Sequence, residues 1–439
     1  MIIDGILSAK QKAESRHNFL VFYFINGLSY MCLGETVIIL FAVRLNCPDY
    51  FIAILGSMMY FGFILLPLGK IVTARSGGAR CQSIFWILRN ISALLVASAA
   101  LFSMWGMREV ALSAILLGAF LFYGFRAAGV VMSQPLVGEI TDDENRAHFL
   151  AVGSGIFHGA CLISLGIISL ILRITESIWV LSGIITVGAG MGVFASSYIR
   201  RIHETENLRR SARRPIWKEL RQTVGKQRFR LQLLTGFVIN TSIILTIPAS
   251  ILLLKRGYGL SDTGALLFSM VQFGASVIFS YATRSLSAKI GPRRLIISAY
   301  FSMMSVCLVW ILCPAEFSWP IALIPFILAG GGTVCMMNGL THYFLQSIPS
   351  ETRVSASIFI AVTGGAGAGI TGMLLGGFLL RWVDRVNPAA PPLENYQLYF
   401  TAVLIAMLAG LWAISRLQPL PEELRQRVLL LDYLFVKIK

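Results

Sequence analysis

Glu35 and Arg126 are the residues whose types and settings best suit chemistry, because each sits inside a long run of apolar residues. An ionisable group at such depth costs about 2.5–3.5 kcal/mol on insertion scales, so it normally faces a cavity or a partner. Their axial offset is on the order of 10 Å, most of which an Arg side chain can bridge. The two can therefore pair directly or hold a polar solute between them. Burial and a neighbouring Arg act in opposite directions on a carboxyl's proton affinity, which suits a proton switch. A fixed ion pair pinning two helices is the alternative reading. Arg89 also lies within an apolar run, where snorkelling to the nearer interface or pairing with Glu139 would satisfy it.

Other chemistries find no support. The cysteines, Cys32, Cys47, Cys81, Cys161, Cys307, Cys313 and Cys335, form no CxxC pair or His/Cys cluster, so they read as small core residues and no metal is expected. A lysine-bearing nucleotide loop is missing, so ATP is not the expected energy source, and no cofactor is expected. Nothing forms a nucleophile, base and oxyanion constellation, so the chain does not read as an enzyme.

These residues must be positioned by membrane helices. Of 439 residues, 56% are hydrophobic and 13% charged, with a mean hydropathy of +0.74. Soluble domains carry about 25% charged residues. Crossing about 30 Å of hydrocarbon takes roughly 20 residues of helix, and lipid requires internal backbone hydrogen bonding. Twelve such runs are expected, at 18–43, 51–73, 83–104, 110–137, 148–172, 178–199, 231–254, 263–283, 295–313, 319–346, 355–381 and 398–415. The N-terminal run is too long for a cleavable signal core and lacks a small-residue cleavage site.

Charge tests this count. With both termini in the cytoplasm, 28 of the 37 Lys and Arg residues fall in cytoplasmic segments and seven outside, leaving Arg89 and Arg126 within spans. That asymmetry follows the positive-inside rule. A net charge of +16 therefore reports orientation in a cytoplasmic membrane, and nucleic acid is not an expected partner. Residues 200–230, with eleven basic residues, divide an N-terminal six-helix bundle (1–199) from a C-terminal one (231–415). Within that linker Ile216, Trp217, Leu220 and Val224 fit either an amphipathic surface helix or a solvated connection. The tail, 416–439, is expected to lie at the cytoplasmic interface.

The halves repeat. Ala74, Arg75, Gly77 and Arg80 follow span 2, and Ala288, Lys289, Gly291 and Arg294 follow span 8, both reading Ala-basic-x-Gly-x-x-Arg. Glu144 and Arg146 follow span 4, and Glu351 and Arg353 follow span 10, again six spans apart. Parallel repeats about an axis normal to the membrane are a transporter plan. The chain resembles the major facilitator superfamily over essentially its whole length. Its repeated loop resembles that family's GxxxDRxGxRR signature, with Ala74 and Ala288 where the family has Asp. At the signature's first Gly stand Lys70, beside Gly69, and Arg284. The segment Leu121–Gly129 resembles the family's fourth-span motif built around an Arg, here Arg126. The antiporter motif of span 5 is missing; Gly155 and Gly159 form only a GxxxG.

The resemblance implies an all-α fold of twelve transmembrane helices in two pseudo-symmetric six-helix bundles. It implies a cavity lined by spans 1, 4, 7 and 10. That adds Asn26, Tyr30, Gln134, Asn240, Asn338 and His342 to Glu35 and Arg126 as expected solute or proton residues. Each of these polar residues alone also fits an interhelical hydrogen bond. Tyr60, Tyr123, Phe157 and Trp310 fit either a stacking wall for a sugar ring or packing. The loops latch the inner gate by charge in the family; without its Asp, the Glu144–Arg146 pair or Arg89 is the expected substitute. Glycines 364, 365, 367, 369, 372, 376 and 377 mark span 11 as a gating or packing helix. The expectation is a monomeric secondary transporter working by alternating access, with protons as coupling ion and a sugar or organic anion as small-molecule substrate. A transporter-fold sensor that signals to a partner protein is the alternative.

Overall fold

The computed structural model describes residues 2–47, 49–175, 177–214, 223–389 and 391–420, some of them, Glu35 included, by backbone alone. Most of the proposed surface helix at 216–224 and nearly all of the tail lie outside the described residues. Among the described residues, eleven helical stretches are long and apolar enough to span a membrane, and Leu267–Thr283 is a shorter apolar one. They are Ala9–Arg44, Met58–Ser76, Gly78–Met104, Arg108–Ile140, Asp143–Ile174, Ile178–Arg200, Gln227–Gly257, Pro292–Ile311, Trp319–Ser347, Ser350–Val386 and Pro392–Ser415. With Leu267–Thr283 as the eighth, these are the twelve expected spans, numbered 1–12 below.

The helices outrun the apolar runs where polar caps hold them. Span 1 begins at Ala9, because the Ser8 hydroxyl accepts from the Gln11 N–H and the Gln11 side chain accepts from the Ser8 N–H. Lys12 then pairs with Asp142, just before span 5. Span 1 is also broken. Its first helix ends at Cys32, Gly34 is extended at φ −65° and ψ 159°, and a second helix starts at Glu35.

The chain forms two units. One comprises Met1–Asp142, Gly153–Leu220 and Ser350–Ala366. Its helices approach through glycines. A Cβ at Gly69 (span 2) would lie 2.2 Å from the Ala128 carbonyl oxygen (span 4), and one at Gly62 would lie 2.7 Å from the Gly124 nitrogen. The two glycines stand seven residues apart on one face, so spans 2 and 4 touch backbone to backbone. Spans 1 and 5 do the same at Gly27 and the Phe157 carbonyl. Hydroxyls bond across the seams of span 1: Ser164 of span 5 donates to the Leu28 carbonyl at 2.9 Å, and Ser29 donates to the Gly188 carbonyl of span 6 at 2.7 Å.

The other unit comprises Asp143–Val152, Arg221–Pro349 and Gly367–Lys439. Its core is more aromatic, with Trp310, Tyr300, Tyr343, Tyr399 and Phe326 buried. Each polar tip is spent locally: Trp310 Nε1 donates to Ser250 at 2.8 Å, and Tyr399 donates to the Leu245 carbonyl at 2.9 Å. Spans 8 and 10 meet at Gly330, whose Cβ would lie 2.2 Å from the Gln272 carbonyl oxygen. Span 11 has a π-helical turn at Ala361–Gly367, where its glycines begin.

The sequence repeat is also a backbone repeat. Gly77 caps span 3 at φ 88° and ψ 167°, and Gly291 caps span 9 at φ 78° and ψ 161°. Both conformations favour glycine.

Gly69→Ala should cost about 1–3 kcal/mol, because it presses a methyl group on backbone that a rotamer change cannot relieve. Gly183→Ala meets nothing within 4 Å and should not lower stability, adding up to about 1 kcal/mol from helix propensity. Thermal melting of the two variants in detergent checks the contrast.

Candidate functional site

Three helices of the first unit set two guanidinium groups among aromatic rings. Span 3 carries Trp86, Arg89 and Asn90, one turn apart on one face. Span 4 carries Phe122 and Arg126 at i and i+4. Span 1 carries Asn26 and Tyr30 at the same spacing. Trp86 Nε1 donates to Asn26 Oδ1 at 2.8 Å, fixing span 3 against span 1. Arg89 is 1% exposed, its Cζ 5.0 Å from the Trp86 centroid and 5.1 Å from that of Phe122. It donates to Asn90 Oδ1 at 3.4 Å, and its Nε has no partner among the described residues. Arg126 lies with Cζ 5.0 Å above the Tyr30 ring, and Phe157 packs on Tyr30 at 5.6 Å.

Arg89 therefore neither snorkels nor pairs with Glu139, whose carboxylate accepts from the Thr205 N–H and hydroxyl. Its aromatic cage was not expected, although Trp86 and Arg89 at i and i+3 within an apolar run were a usable signal. Glu35 heads the second half of span 1, with its side chain outside the description. Gln134 lies in the Ser133–Ile140 segment, after a turn at the end of the first helix of span 4. In the second unit Asn240 donates to its own helix at Gly236, Asn338 donates to Thr283 at 3.4 Å, and His342 is 6% exposed. Of the four aromatics, Phe157 packs on Tyr30 and Tyr123 packs on Phe122 at 5.1 Å, both beside the arginine cluster, and Trp310 lies in the core of the other unit.

A second polar group lies where the basic loops meet. Lys70, 6% exposed, donates to Ser355 of span 11 at 2.7 Å, and Ser357 donates to the Val131 carbonyl at 2.8 Å. The Ala74 carbonyl accepts from Arg209 and Arg213 of the helix Glu206–Arg213. Where the signature's Asp is missing, a carboxylate arrives from elsewhere. Glu204 pairs through its backbone with Ile2 in a two-residue parallel ladder, and its side chain accepts from the Gly78 N–H at 2.7 Å and the Ala79 N–H at 3.3 Å. It thus caps the N-terminus of span 3. A Cβ at Gly77 would lie 2.4 Å from Glu204 Oε1, so glycine there serves the cap as well as the turn. Of the other loop residues, Arg75, Arg80 and Arg294 are exposed, and Arg146 pairs with Asp143 at 2.5 Å. Glu144 is exposed. Glu351 accepts from Ser350, Arg353 is half-buried, and Lys289 is described by backbone alone.

Two helical units rich in membrane spans, with charge enclosed in one of them, define an integral membrane protein of transporter fold, which implies a small-molecule substrate and a lipid surround. The family profile described as Major Facilitator Superfamily matches residues 19–372, and the chain belongs to that family. No curated protein sequence matches it. Among solved structures it is similar to the Escherichia coli fucose:proton symporter FucP, at 13% identity and TM-score 0.65, covering 91% of this chain and 98% of that one. It is similar to the human organic anion transporter MFSD10, at 12% identity and TM-score 0.69, covering 92% and 99%. A bacterial homologue of the iron transporter ferroportin gives 13% identity and TM-score 0.69, covering 92% and 98%. These likenesses concern the fold.

Glu204 lies outside the spans. Its burial pushes the carboxyl up to about 7, aided by Glu139 and opposed by the two N–H groups it caps. The folded protein thus holds a proton that the unfolded chain releases near pH 4.5, so stability should fall as pH rises from about 4.5 to 7 and level off above. The loss is on the order of 3 kcal/mol. Melting temperature against pH should show this decline in the wild type and a flattened profile in Glu204→Gln.

Proposed function

We propose that the chain is a secondary active transporter, not an enzyme, that moves a small organic anion by alternating access. The observation that carries this reading is the Arg89–Arg126 pair. Burying an ion costs several kcal/mol, whereas a desolvated cation–π contact returns about 2 kcal/mol. Aromatic faces alone therefore leave the buried Arg89 charge undercompensated, with half-buried Arg126 in the same bundle. A carboxylate or similar anion seated between them offsets that cost. This favours an organic anion over a neutral sugar.

Glu35 heads a half-helix inside a broken span, a setting that transporters use for substrate and coupling ions. It serves as the proton-coupling carboxylate of a symporter. Asn26 and Tyr30 fix the arginines, Gln134 lies along the same route, and Asn240, Asn338 and His342 contribute from the other half. The halves 1–199 and 231–415 rock about this site, joined by the basic linker 200–230, with 416–439 as a tail. Lys70–Ser355 and the capped loops after spans 2 and 8 form the gate, together with the acidic–basic pairs after spans 4 and 10. The protein works as a monomer in the cytoplasmic membrane, with both termini inside, as the basic loops require.

In liposomes, Arg126→Gln and Arg89→Gln should each abolish uptake of the transported anion, with Lys at either position restoring part of it. Glu35→Gln should keep counterflow and lose pH-driven accumulation. Wild-type protein that binds organic anions without exchanging them would sink the transporter reading. Unchanged pH dependence in Glu35→Gln would remove that residue from coupling.

A further inference from the structure

A cavity of about 570 Å³ opens between the ends of spans 3 and 6, apart from the arginine cluster. Arg80, in the first turn of span 3, and Arg200 and Arg201, at the end of span 6, stand at its mouth and are all exposed. Arg80 and Arg200 make no hydrogen bond or ion pair among the described residues, and Arg201 only lies over Tyr198 at 5.2 Å. The one carboxylate lining the cavity, Glu14, is 3.6 Å from His203. Three guanidinium groups thus face one carboxylate, so the mouth stays cationic. Deeper in, Ser83 is 2% exposed, and its hydroxyl bonds to none of the described residues.

The cavity continues into an apolar strip. Ile87 and Val193 line its wall. Beyond them Ile84 and Ile91 on span 3 and Phe194 and Val187 on span 6 are 41%, 52%, 58% and 61% exposed. Ile91 lies eleven residues from Arg80, a depth of about 16 Å along a helix. That is close to half of a hydrocarbon core of about 30 Å. A cationic mouth at the interface above a strip one leaflet deep matches a phosphodiester headgroup with its acyl chain. A soluble anion would leave the strip without a purpose, and an acidic protein segment would not follow it into the bilayer.

We propose that this cavity is a binding site for one anionic phospholipid, its phosphate held by Arg80, Arg200 and Arg201 and its acyl chain laid along spans 3 and 6. The site is independent of the transport reading. It ties the linker that begins at Arg200 to the membrane surface.

The test is native mass spectrometry and thermal melting of the full chain in detergent. The probes are phosphatidylglycerol, phosphatidylcholine and soluble glycerol 3-phosphate. One phosphatidylglycerol should bind, on the order of a hundredfold tighter than phosphatidylcholine given three interfacial arginines, and glycerol 3-phosphate should give no shift. Replacing Arg80, Arg200 and Arg201 together by Gln should erase that preference. Val193→Trp, which fills the cavity and keeps every charge, should weaken phosphatidylglycerol to the phosphatidylcholine level. Replacing Arg108 and Arg173, outside the cavity, by Gln should change neither. Equal binding of the two lipids, a glycerol 3-phosphate shift as large as that of phosphatidylglycerol, or undiminished binding in Val193→Trp would each overturn the proposal. The last arm decides even where the triple variant fails to fold.

Discussion

Hydrocarbon offers no hydrogen-bond partner, and most features of this molecule answer to that constraint. Backbone groups are closed within helices. Serine and threonine hydroxyls bond back to their own helix, as Thr73 does to Gly69 and Thr246 to Ser242, or across a seam, as Ser29 does to Gly188. Because lipid tails are as apolar as the side chains, burial alone does not drive helices together. Close backbone approach at Gly27, Gly62, Gly69 and Gly330 supplies dispersion contact in its place. Large apolar side chains such as Ile64 and Phe378 remain 73% and 64% exposed, as a chain solvated by lipid permits.

Against that background, departures from closed apolar helix carry meaning. Span 1 opens at Gly34, and its second half starts at Glu35. Arg89 and Arg126 share one bundle, caged by Trp86, Phe122 and Tyr30. A low dielectric makes such charges expensive to hold. A broken helix, a buried Arg89 and a half-buried Arg126 in the same unit are what the proposed transport reading uses.

The loop after span 2 is held by contacts from outside the family signature. Span 3 starts from a glycine at positive φ, and its first amide groups receive a carboxylate from Glu204, 126 positions away. That carboxylate belongs to the linker, where the ladder with Ile2 holds it. Lys70, at a signature glycine, donates to Ser355.

Hydropathy and charge are local properties, so the sequence by itself determined the number of spans, their alternation of basic loops and the repeat that Gly77 and Gly291 embody. It could also single out Arg89 and Arg126, because a charge in an apolar run is visible without any neighbour. What surrounds those charges was decided by tertiary structure alone. The Trp86–Asn26 bond spans 60 positions, and Lys70 meets Ser355 across 285. No periodicity records which faces of two distant helices meet. Glu204 in the linker carried no signal, since a carboxylate among eleven basic residues reads as solvated until burial and two amide groups show otherwise. Pairing along the chain follows from helix geometry; pairing across it follows from which small residues let backbones touch.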